Sequence, residues 1–120
     1  MASGIYNRFK ANLMNKVVDL ESDTIKVALY DNSHAFTATD TEYTTTNELA
    51  NGVGGYTRGD KELAGKAVTE GPATKFDAND TAWTSATFTA YFAVLFDDTL
   101  VGKDLICCFD FGGGKTVSNG

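Results

Sequence analysis

The sequence contains few of the residues from which catalytic and metal sites are built. It has a single histidine, His34, and two adjacent cysteines, Cys107 and Cys108. Adjacent residues of a strand point to opposite sides, so the two thiols are badly placed to bond to each other, and their spacing fits no zinc motif. We interpret both as reduced strand residues, with Cys107 in the core; a disulfide between subunits is the alternative. We expect no catalytic activity, no metal and no cofactor.

Long apolar runs and an excess of basic residues are also absent. The longest apolar run, from Ala90 to Phe96, is far shorter than the ~20 residues that a membrane span needs. The 10 Lys and Arg residues are outnumbered by 16 Asp and Glu residues, and the net charge of −6 argues against nucleic-acid binding. The N-terminal MASGIYNRFK has neither the apolar segment nor the cleavage site of a signal peptide, so we expect synthesis in the cytoplasm.

The composition that is present fits one domain spanning 1–120. A chain of 120 residues can bury a core, and its 42% hydrophobic and 22% charged residues are ordinary for a globular protein. The charge is uneven, because residues 1–18 carry Arg8, Lys10 and Lys16 without any acid, whereas the remainder carries −9. We predict that these three bases form an interaction surface for an acidic neighbour, including a second copy of the chain. The alternative is that they only solvate the outer side of a helix.

The apolar pattern of residues 1–20 predicts an amphipathic N-terminal helix. Over 4–18, with Ser3 as the N-cap, apolar side chains recur at helical spacing: Ile5, Tyr6, Phe9, Leu13 and Val17. A β-rich body is predicted over 24–117. It begins with an alternating strand at Thr24–Tyr30, which is followed by a long polar loop at 31–55.

Two runs near the C-terminus predict a central β-hairpin. Alternate positions of the first run are apolar, which would place all of them on one face: Phe88, Ala90, Phe92, Val94 and Phe96. After a polar turn, the second run alternates in the same way: Leu105, Cys107, Phe109 and Phe111. The glycines at 112–114 are interpreted as a turn after this strand. The sequence therefore predicts a mainly β (α+β) fold, an antiparallel sheet or small β-sandwich with one N-terminal helix.

Two short motifs imitate known binding sequences. The segment Phe111–Thr116 (FGGGKT) lacks the first glycine of a phosphate-binding loop, and too few residues follow it for the helix that such a loop requires. The tripeptide Arg58-Gly59-Asp60 matches integrin ligands, but Gly-Asp is ordinary turn chemistry between strands. We predict a turn at each place.

Two further features precede the hairpin. The oxygen-bearing side chains of Asp77, Asn79 and Asp80 resemble the start of a calcium loop whose later ligands are missing, and we interpret them as a turn at the start of a strand. Trp83 is the only tryptophan. Because aromatic residues are enriched at interfaces as well as in cores, we predict that Trp83 covers the end of the core or lies at a subunit interface.

Two segments carry a resemblance to a known family. They are GIYNRFKANLMNKVVDLESDTIKVALYDNSHAFTATDT at the start, and FDANDTAWTSATFTAYFAVLFDDT with DLICCFDFGGGKTVS towards the end. Over most of its length the chain resembles a family of small virion proteins of tailed bacteriophages. In that family's pattern one more strand follows the glycine-rich segment, whereas this chain stops at Gly120. Either that strand is missing, or a sheet edge is left open.

The resemblance implies a non-enzymatic structural protein of the virion. We expect a capsid decoration (cement) protein, which binds the assembled shell and stabilises it by mass action. Its expected partners are the major capsid protein or other virion proteins, and a homo-oligomer is expected in the particle. One alternative is a ring protein of the tail or the head-to-tail connector. Another is a small module that binds glycan or the host surface.

Overall fold

The computed structural model describes residues 3–79, 81–83 and 85–118, and it is mainly β, as the sequence predicts. The elements in chain order are β1 (Gly4–Ile5), α1 (Asn7–Met14), β2 (Ile25–Tyr30), β3 (Ala67–Thr69), β4 (Lys75–Asp77), β5 (Thr87–Asp97) and β6 (Leu105–Ser118). Four of the strands form an antiparallel sheet in the order β1-β6-β5-β2, while β3 and β4 form a separate hairpin. The predicted antiparallel sheet with one N-terminal helix is confirmed.

The helix is shorter than predicted. It spans Asn7–Met14, because Gly4 and Ile5 pair with β6 as the short strand β1. Glycine and asparagine are poor helix formers, so backbone pairing with a neighbouring strand prevails at one end. At the other end Lys16 adopts a left-handed φ of 59°, which a continuing helix does not allow.

The predicted apolar stripe of the helix is wrong for three of its members. Within α1 only Phe9 and Asn12 are buried. Leu13 is 46% exposed, and Ile5 and Val17, which lie outside the helix, are about half exposed as well. Ser3 is not the N-cap, since its hydroxyl accepts a hydrogen bond from the β6 backbone instead.

The hairpin of β5 and β6 is confirmed, but its apolar residues do not share one face. The register shifts between Ala90 and Phe92. As a result Ala90 packs against one face of the sheet, whereas Phe92 and Phe96 pack against the other. A second register shift, between Leu95 and Phe96, places their β6 partners on opposite faces of the sheet in the same way. Bulges reverse the side to which later side chains point, which is why simple alternation fails here.

The glycine run lies inside β6, so the predicted turn after the strand is wrong. On either side of it Asp110 pairs with Phe92 and Lys115 pairs with Ala90, which leaves extra residues on β6 as a wide bulge. Gly112 has a φ of 76°, a conformation that favours glycine. β6 then continues to Ser118 beside the start of β5.

The two faces of the sheet carry separate cores. The first, which we call the groove face, holds the buried residues Phe9, Ile25, Val27, Leu29, Tyr56, Leu63, Ala90, Ala93 and Ile106. The second, which we call the loop face, holds Tyr6, Ala28, Tyr30, Phe92, Val94, Phe96, Leu105 and Cys108. Residues 31–66, all of them described, contain no helix or strand and only isolated bridges, so the predicted loop at 31–55 extends further. Phe36 and Tyr43 from this loop pack on the loop face.

Candidate interaction site

The outer edge of β2 is covered by the long loop. The N–H of Val27 donates to the Lys61 carbonyl at 3.1 Å, and the N–H of Asp31 donates to the Asn47 carbonyl at 2.9 Å. Between these two, the N–H of Leu29 donates to the phenolic oxygen of Tyr56 at 2.9 Å. The loop returns hydrogen bonds of its own to the carbonyls of Ile25 and Leu29. An incoming strand therefore finds the backbone of this edge already in use.

A buried carboxylate holds the loop in place. Glu48 is 5% exposed, and its Oε2 accepts a hydrogen bond from the Tyr56 hydroxyl at 2.5 Å. Its Oε1 accepts one from the Tyr43 hydroxyl and lies 3.6 Å from Nε of Arg58. Burial, followed by the hydrogen bond to Glu48, raises the pKa of both tyrosines, so they remain donors at neutral pH. A buried charge is tolerated where hydrogen bonds and an opposite charge compensate it in this way.

Arg58 is occupied by this network. Its guanidinium also donates to the carbonyls of Leu49, at 3.0 Å, and Glu48, at 3.2 Å. Gly59 has a φ of 77° in the following turn. The Arg58-Gly59-Asp60 tripeptide is thus a turn whose arginine holds the fold together, as the turn chemistry predicts.

The opposite edge of the sheet is largely open. β1 pairs with β6 only at Cys107 and Cys108. From Phe109 to Ser118, the described strands offer β6 a partner on the β5 side alone. Two outward amides are satisfied locally: that of Asp110 donates to Ser3 Oγ at 2.7 Å, and that of Gly112 donates to the Asp110 carboxylate at 2.8 Å.

An apolar groove of about 820 Å³ lies on the groove face beside this edge. Its lining includes residues from four elements of the sheet, from α1, and from the segment around β4. They are chiefly Ile5, Phe9, Leu20, Val27, Leu29, Leu63, Phe76, Trp83, Ala93, Leu95, Ile106, Cys107, Phe109 and Phe111. Asp77 is the only charged residue in the described lining. Phe109 is 49% exposed although it is a large apolar side chain, so the groove presents apolar surface to its surroundings.

Trp83 lies in the wall of this groove and also packs on the core. Its ring is 6.2 Å from those of Tyr56 and Phe88. The ammonium of Lys61 stands 5.7 Å from the indole centroid, within the range of a cation–π contact. Among the described residues, the buried indole N–H has no hydrogen-bond partner. Trp83 therefore packs on the core and also lines the groove. Its role at a subunit interface stays a prediction.

The interaction surface predicted for Arg8, Lys10 and Lys16 stays a prediction. Arg8 reaches Asp104 Oδ2 at 3.3 Å, beside the amide of Asn12, which donates to the same oxygen at 2.8 Å. Lys10 and Lys16 are exposed. Close to them in sequence the apolar side chain of Met14 is 85% exposed.

The two cysteines lie on opposite faces of the sheet, as predicted, and each packs against a core. Cys108 is buried in the loop-face core, with 1% exposure, whereas Cys107 is partly buried against the groove-face core and lines the groove. Both thiols are free. Burial raises the pKa of Cys107 to about 12 and that of Cys108 to about 11, so neither is a nucleophilic thiolate near neutral pH.

A second cavity, of about 420 Å³, lies on the loop face next to His34. Nε2 of His34 is 3.9 Å from Sγ of Cys108, and the imidazole packs against the tilted ring of Tyr30, with 4.4 Å between the ring centroids. Burial lowers the pKa of His34, which favours the neutral ring. With a protonated thiol beside it, this pair lacks the activated nucleophile of a cysteine–histidine enzyme. No local sequence pattern connects these two residues.

The remaining motifs are structural where they can be described. Thr116 of the FGGGKT segment lies in β6 and shares a hydrogen bond of 2.8 Å with the Thr89 hydroxyl, so no helix follows the glycines within the described residues. In the calcium-like segment, the Asp77 carboxylate accepts a hydrogen bond from the backbone N–H of the next residue. Asp80 lies outside the described residues. In the described ranges, no group of three or more His, Cys, Asp and Glu side chains could hold a metal ion. The one helix described is too short to cross a membrane.

Comparison with known proteins gives no match: no family model, curated protein or solved structure is similar to this chain.

Proposed function

We propose that this chain is a non-enzymatic structural component of a tailed-phage particle, most specifically a capsid decoration protein that binds the assembled shell and stabilises it. The observation that carries the proposal is the asymmetry of the sheet. One edge is covered by the chain's own loop, and along most of the other no described strand pairs with β6, next to an apolar groove. A domain with one such edge and groove is suited to joining another polypeptide.

The resemblance to small virion proteins points the same way. It spans the helix, β2 and the β5–β6 hairpin, which are the elements that frame the open edge and the groove. A decoration protein must remain apart from its shell until the shell has assembled, and then bind many equivalent places. The net charge of −6 favours separation between free copies, and the exposed Lys10 and Lys16 offer contacts to an acidic lattice.

The proposal is tested by the solution mass of the purified protein and by its binding to shells. Light scattering behind a sizing column, over a range of concentrations, should give a monomer or a small compact oligomer. Shells assembled from the major capsid protein encoded in the same genome should then bind the chain saturably and become more resistant to heat or denaturant, because a ligand of the assembled state stabilises that state.

The same experiments distinguish the alternatives. Closed rings or open-ended tubes of the chain alone would contradict a decoration role and indicate the tail or the connector, since head-to-tail contacts that close produce rings. A compact oligomer that fails to bind shells and leaves their stability unchanged would also contradict the proposal.

A further inference from the structure

The cavity of about 420 Å³ on the loop face has the features of a second binding site. We infer that it receives an alkylammonium group, the chemistry of a lysine side chain, between its aromatic walls and the carboxylates at its mouth. Such a site goes beyond the proposed function and is independent of it, since that function assigns no ligand to this cavity.

The cavity has a buried floor and an exposed mouth. Its floor consists of side chains that are at most 5% exposed: Tyr6, Tyr30, Val94 and Leu105. Its mouth lies on the long loop, where the lining residues Asp40 and Glu42 are exposed. A volume of this size falls within the range of small-ligand sites in proteins, so the cavity can admit the end of a long side chain.

The charged residues of the described lining are both acidic. They are Asp40 and Glu42, and the described lining contains no lysine or arginine. Neither carboxylate forms an ion pair with another described residue. Burial lowers the pKa of His34, so the imidazole in the wall is neutral near pH 7 and brings no positive charge of its own. A cation that enters therefore meets negative charge without a competing base.

Asp40 is the carboxylate closer to the aromatic walls. Burial raises the pKa of Tyr6 and lowers that of His34, while the nearby charge of Asp40 acts to raise the pKa of both. The carboxylate of Asp40 forms no hydrogen bond with a described residue. Oε2 of Glu42, by contrast, lies against Cα of Gly102. We therefore expect Asp40 to contribute more to the binding of a cation than Glu42.

The tyrosines of the lining offer rings and acceptors. The Tyr30 hydroxyl donates to the Thr44 carbonyl at 2.6 Å, and the Tyr43 hydroxyl donates to Glu48. Because these two protons are already used, each phenolic oxygen is left as an acceptor. Aromatic rings also attract cations. A ligand that is positively charged and donates hydrogen bonds therefore matches this lining.

Other classes of ligand match it less well. An anion is repelled by the carboxylates, and an apolar molecule leaves the oxygens of the lining without hydrogen bonds. A metal ion is disfavoured, because no group of three His, Cys, Asp or Glu side chains in the part of the chain that the structure describes could hold one. A quaternary ammonium has no N–H, whereas a lysine ammonium has three donors for the acceptors present.

The test compares two small ligands on the purified protein. One is the N-acetyl, N′-methylamide derivative of lysine, and the matched control is the same derivative of norleucine, which has the same carbon stem without the ammonium group. n-Butylammonium chloride serves as a free amine. Amide chemical shifts of residues 39–44, which line the mouth, report binding by NMR. The ionic strength is held constant, because salt screens the attraction.

We expect the lysine derivative to bind saturably with a Kd of about 10 mM or below, and the norleucine derivative to bind about tenfold more weakly. Asp40→Asn should weaken binding of the lysine derivative about tenfold and leave that of the norleucine derivative unchanged. Glu42→Gln should have a smaller effect. The control Asp60→Asn makes the same change in net charge at an exposed residue outside the cavity and should leave binding unchanged.

Equal binding of the two derivatives would overturn the inference, since it would show adhesion of the carbon stem alone. Equal losses from Asp40→Asn and Asp60→Asn would overturn it too, because they would show general attraction to an acidic protein. So would tighter binding of tetramethylammonium than of n-butylammonium, or no saturable binding of either amine at about 50 mM.

The two amines identify the source of the group. Binding of n-butylammonium alone supports the site and assigns it to a free amine, whereas binding of both ligands extends it to lysine side chains of other proteins. Binding of the protein to shells is measured separately. Shells that bind a protein to which neither amine binds would leave the proposed function standing and overturn this site, and the opposite pair of results would do the reverse.

Discussion

Along β2 the outward backbone groups meet Lys61, Tyr56 and Asn47 of the protein's own loop, whereas along the C-terminal half of β6 they meet no described strand. The covered edge depends on a buried carboxylate, Glu48, which accepts hydrogen bonds from side chains of the loop. Among the described residues, the β6 edge carries a glycine bulge, the exposed Lys115, and two amides that are bonded to Ser3 and Asp110. The bulge and the lysine are devices that soluble proteins use at strand edges.

The two edges differ in whether the protein's own chain satisfies their backbone hydrogen bonds. A buried charged network contributes little net stability compared with an apolar core, yet it fails strongly when one member is removed. Such a network is therefore a sensitive test of the covered edge. The open edge and its groove, by contrast, should tolerate substitution with small effects on folding and large effects on binding.

The largest effect is expected from Glu48→Ala. It leaves the hydroxyls of Tyr43 and Tyr56 and the Arg58 guanidinium without their shared acceptor, so the loop should detach from β2 at a cost of about 3–5 kcal/mol. Urea unfolding measures this change in the free energy of unfolding. The control Glu70→Ala, at an exposed residue of the β3–β4 connection, should change it by about 0.5 kcal/mol or less. A loss below about 1 kcal/mol at Glu48 would show that the network does not hold the edge.

The second prediction concerns Asp97, a carboxyl with 0% exposure where β5 leaves β2. Burial, together with the hydrogen bond and the charge of Asp23, raises its pKa from 3.8 to about 7. The folded protein therefore binds more protons than the unfolded chain between these values, so stability should fall as the pH rises from 4 to 7 and then level off. Asp97→Asn should remove this dependence and stabilise the protein at pH 8 by about 2–4 kcal/mol.

The adjacent carboxylate provides a control of opposite sign. Hydrogen bonds and ion pairs with Lys103 and Lys26 lower the pKa of Asp98. Its contribution is present above the unfolded pKa and is lost as the pH falls through the lowered folded pKa. Asp98→Asn should therefore weaken the protein at pH 8, where Asp97→Asn strengthens it. Parallel effects of the two substitutions at pH 8 would contradict this assignment.

The third and smallest effect on stability is expected from Tyr56→Phe. The change removes the donor to Glu48 and the acceptor for the Leu29 amide while keeping the ring in the core, and it should cost about 1–3 kcal/mol. Exchange of the Leu29 amide should quicken more than that of its neighbours in β2. Tyr91→Phe is the matched control, because Tyr91 lies in the same sheet and its hydroxyl makes no hydrogen bond to another described residue. Equal losses at both tyrosines would mean that the hydroxyl of Tyr56 has no special part in covering the edge.

The repeating apolar pattern was enough to predict the β5–β6 hairpin and the strand β2, because a period of two is a local property of the sequence. It failed between Ala90 and Phe92 and between Leu105 and Cys107, since bulges change the face to which side chains point without any change in composition. Gly4 and Ile5 were predicted to be helical, but they pair with β6, a strand distant in sequence. Tertiary contacts of this kind override local propensity.

The site itself was largely beyond prediction from sequence. Glu48 stands in a polar segment and reads as a solvated loop residue, and only the fold brings it to Tyr56 and Arg58. The groove forms where Trp83 and the region of β4 stand beside β6, an arrangement that no local pattern encodes. Trp83 was singled out for its residue type alone, and that was the one signal pointing to this surface.

The contrast between the two edges is tested most directly by amide hydrogen exchange on the dilute, unbound protein at single-residue resolution. The account predicts that the amides of Val27, Leu29 and Asp31 on the covered edge exchange only through extensive unfolding, whereas the outward-facing amides within 114–118 exchange quickly. Slow exchange along both edges in a monomer would contradict the account, because it would mean that β6 is already covered and has no edge to offer a partner.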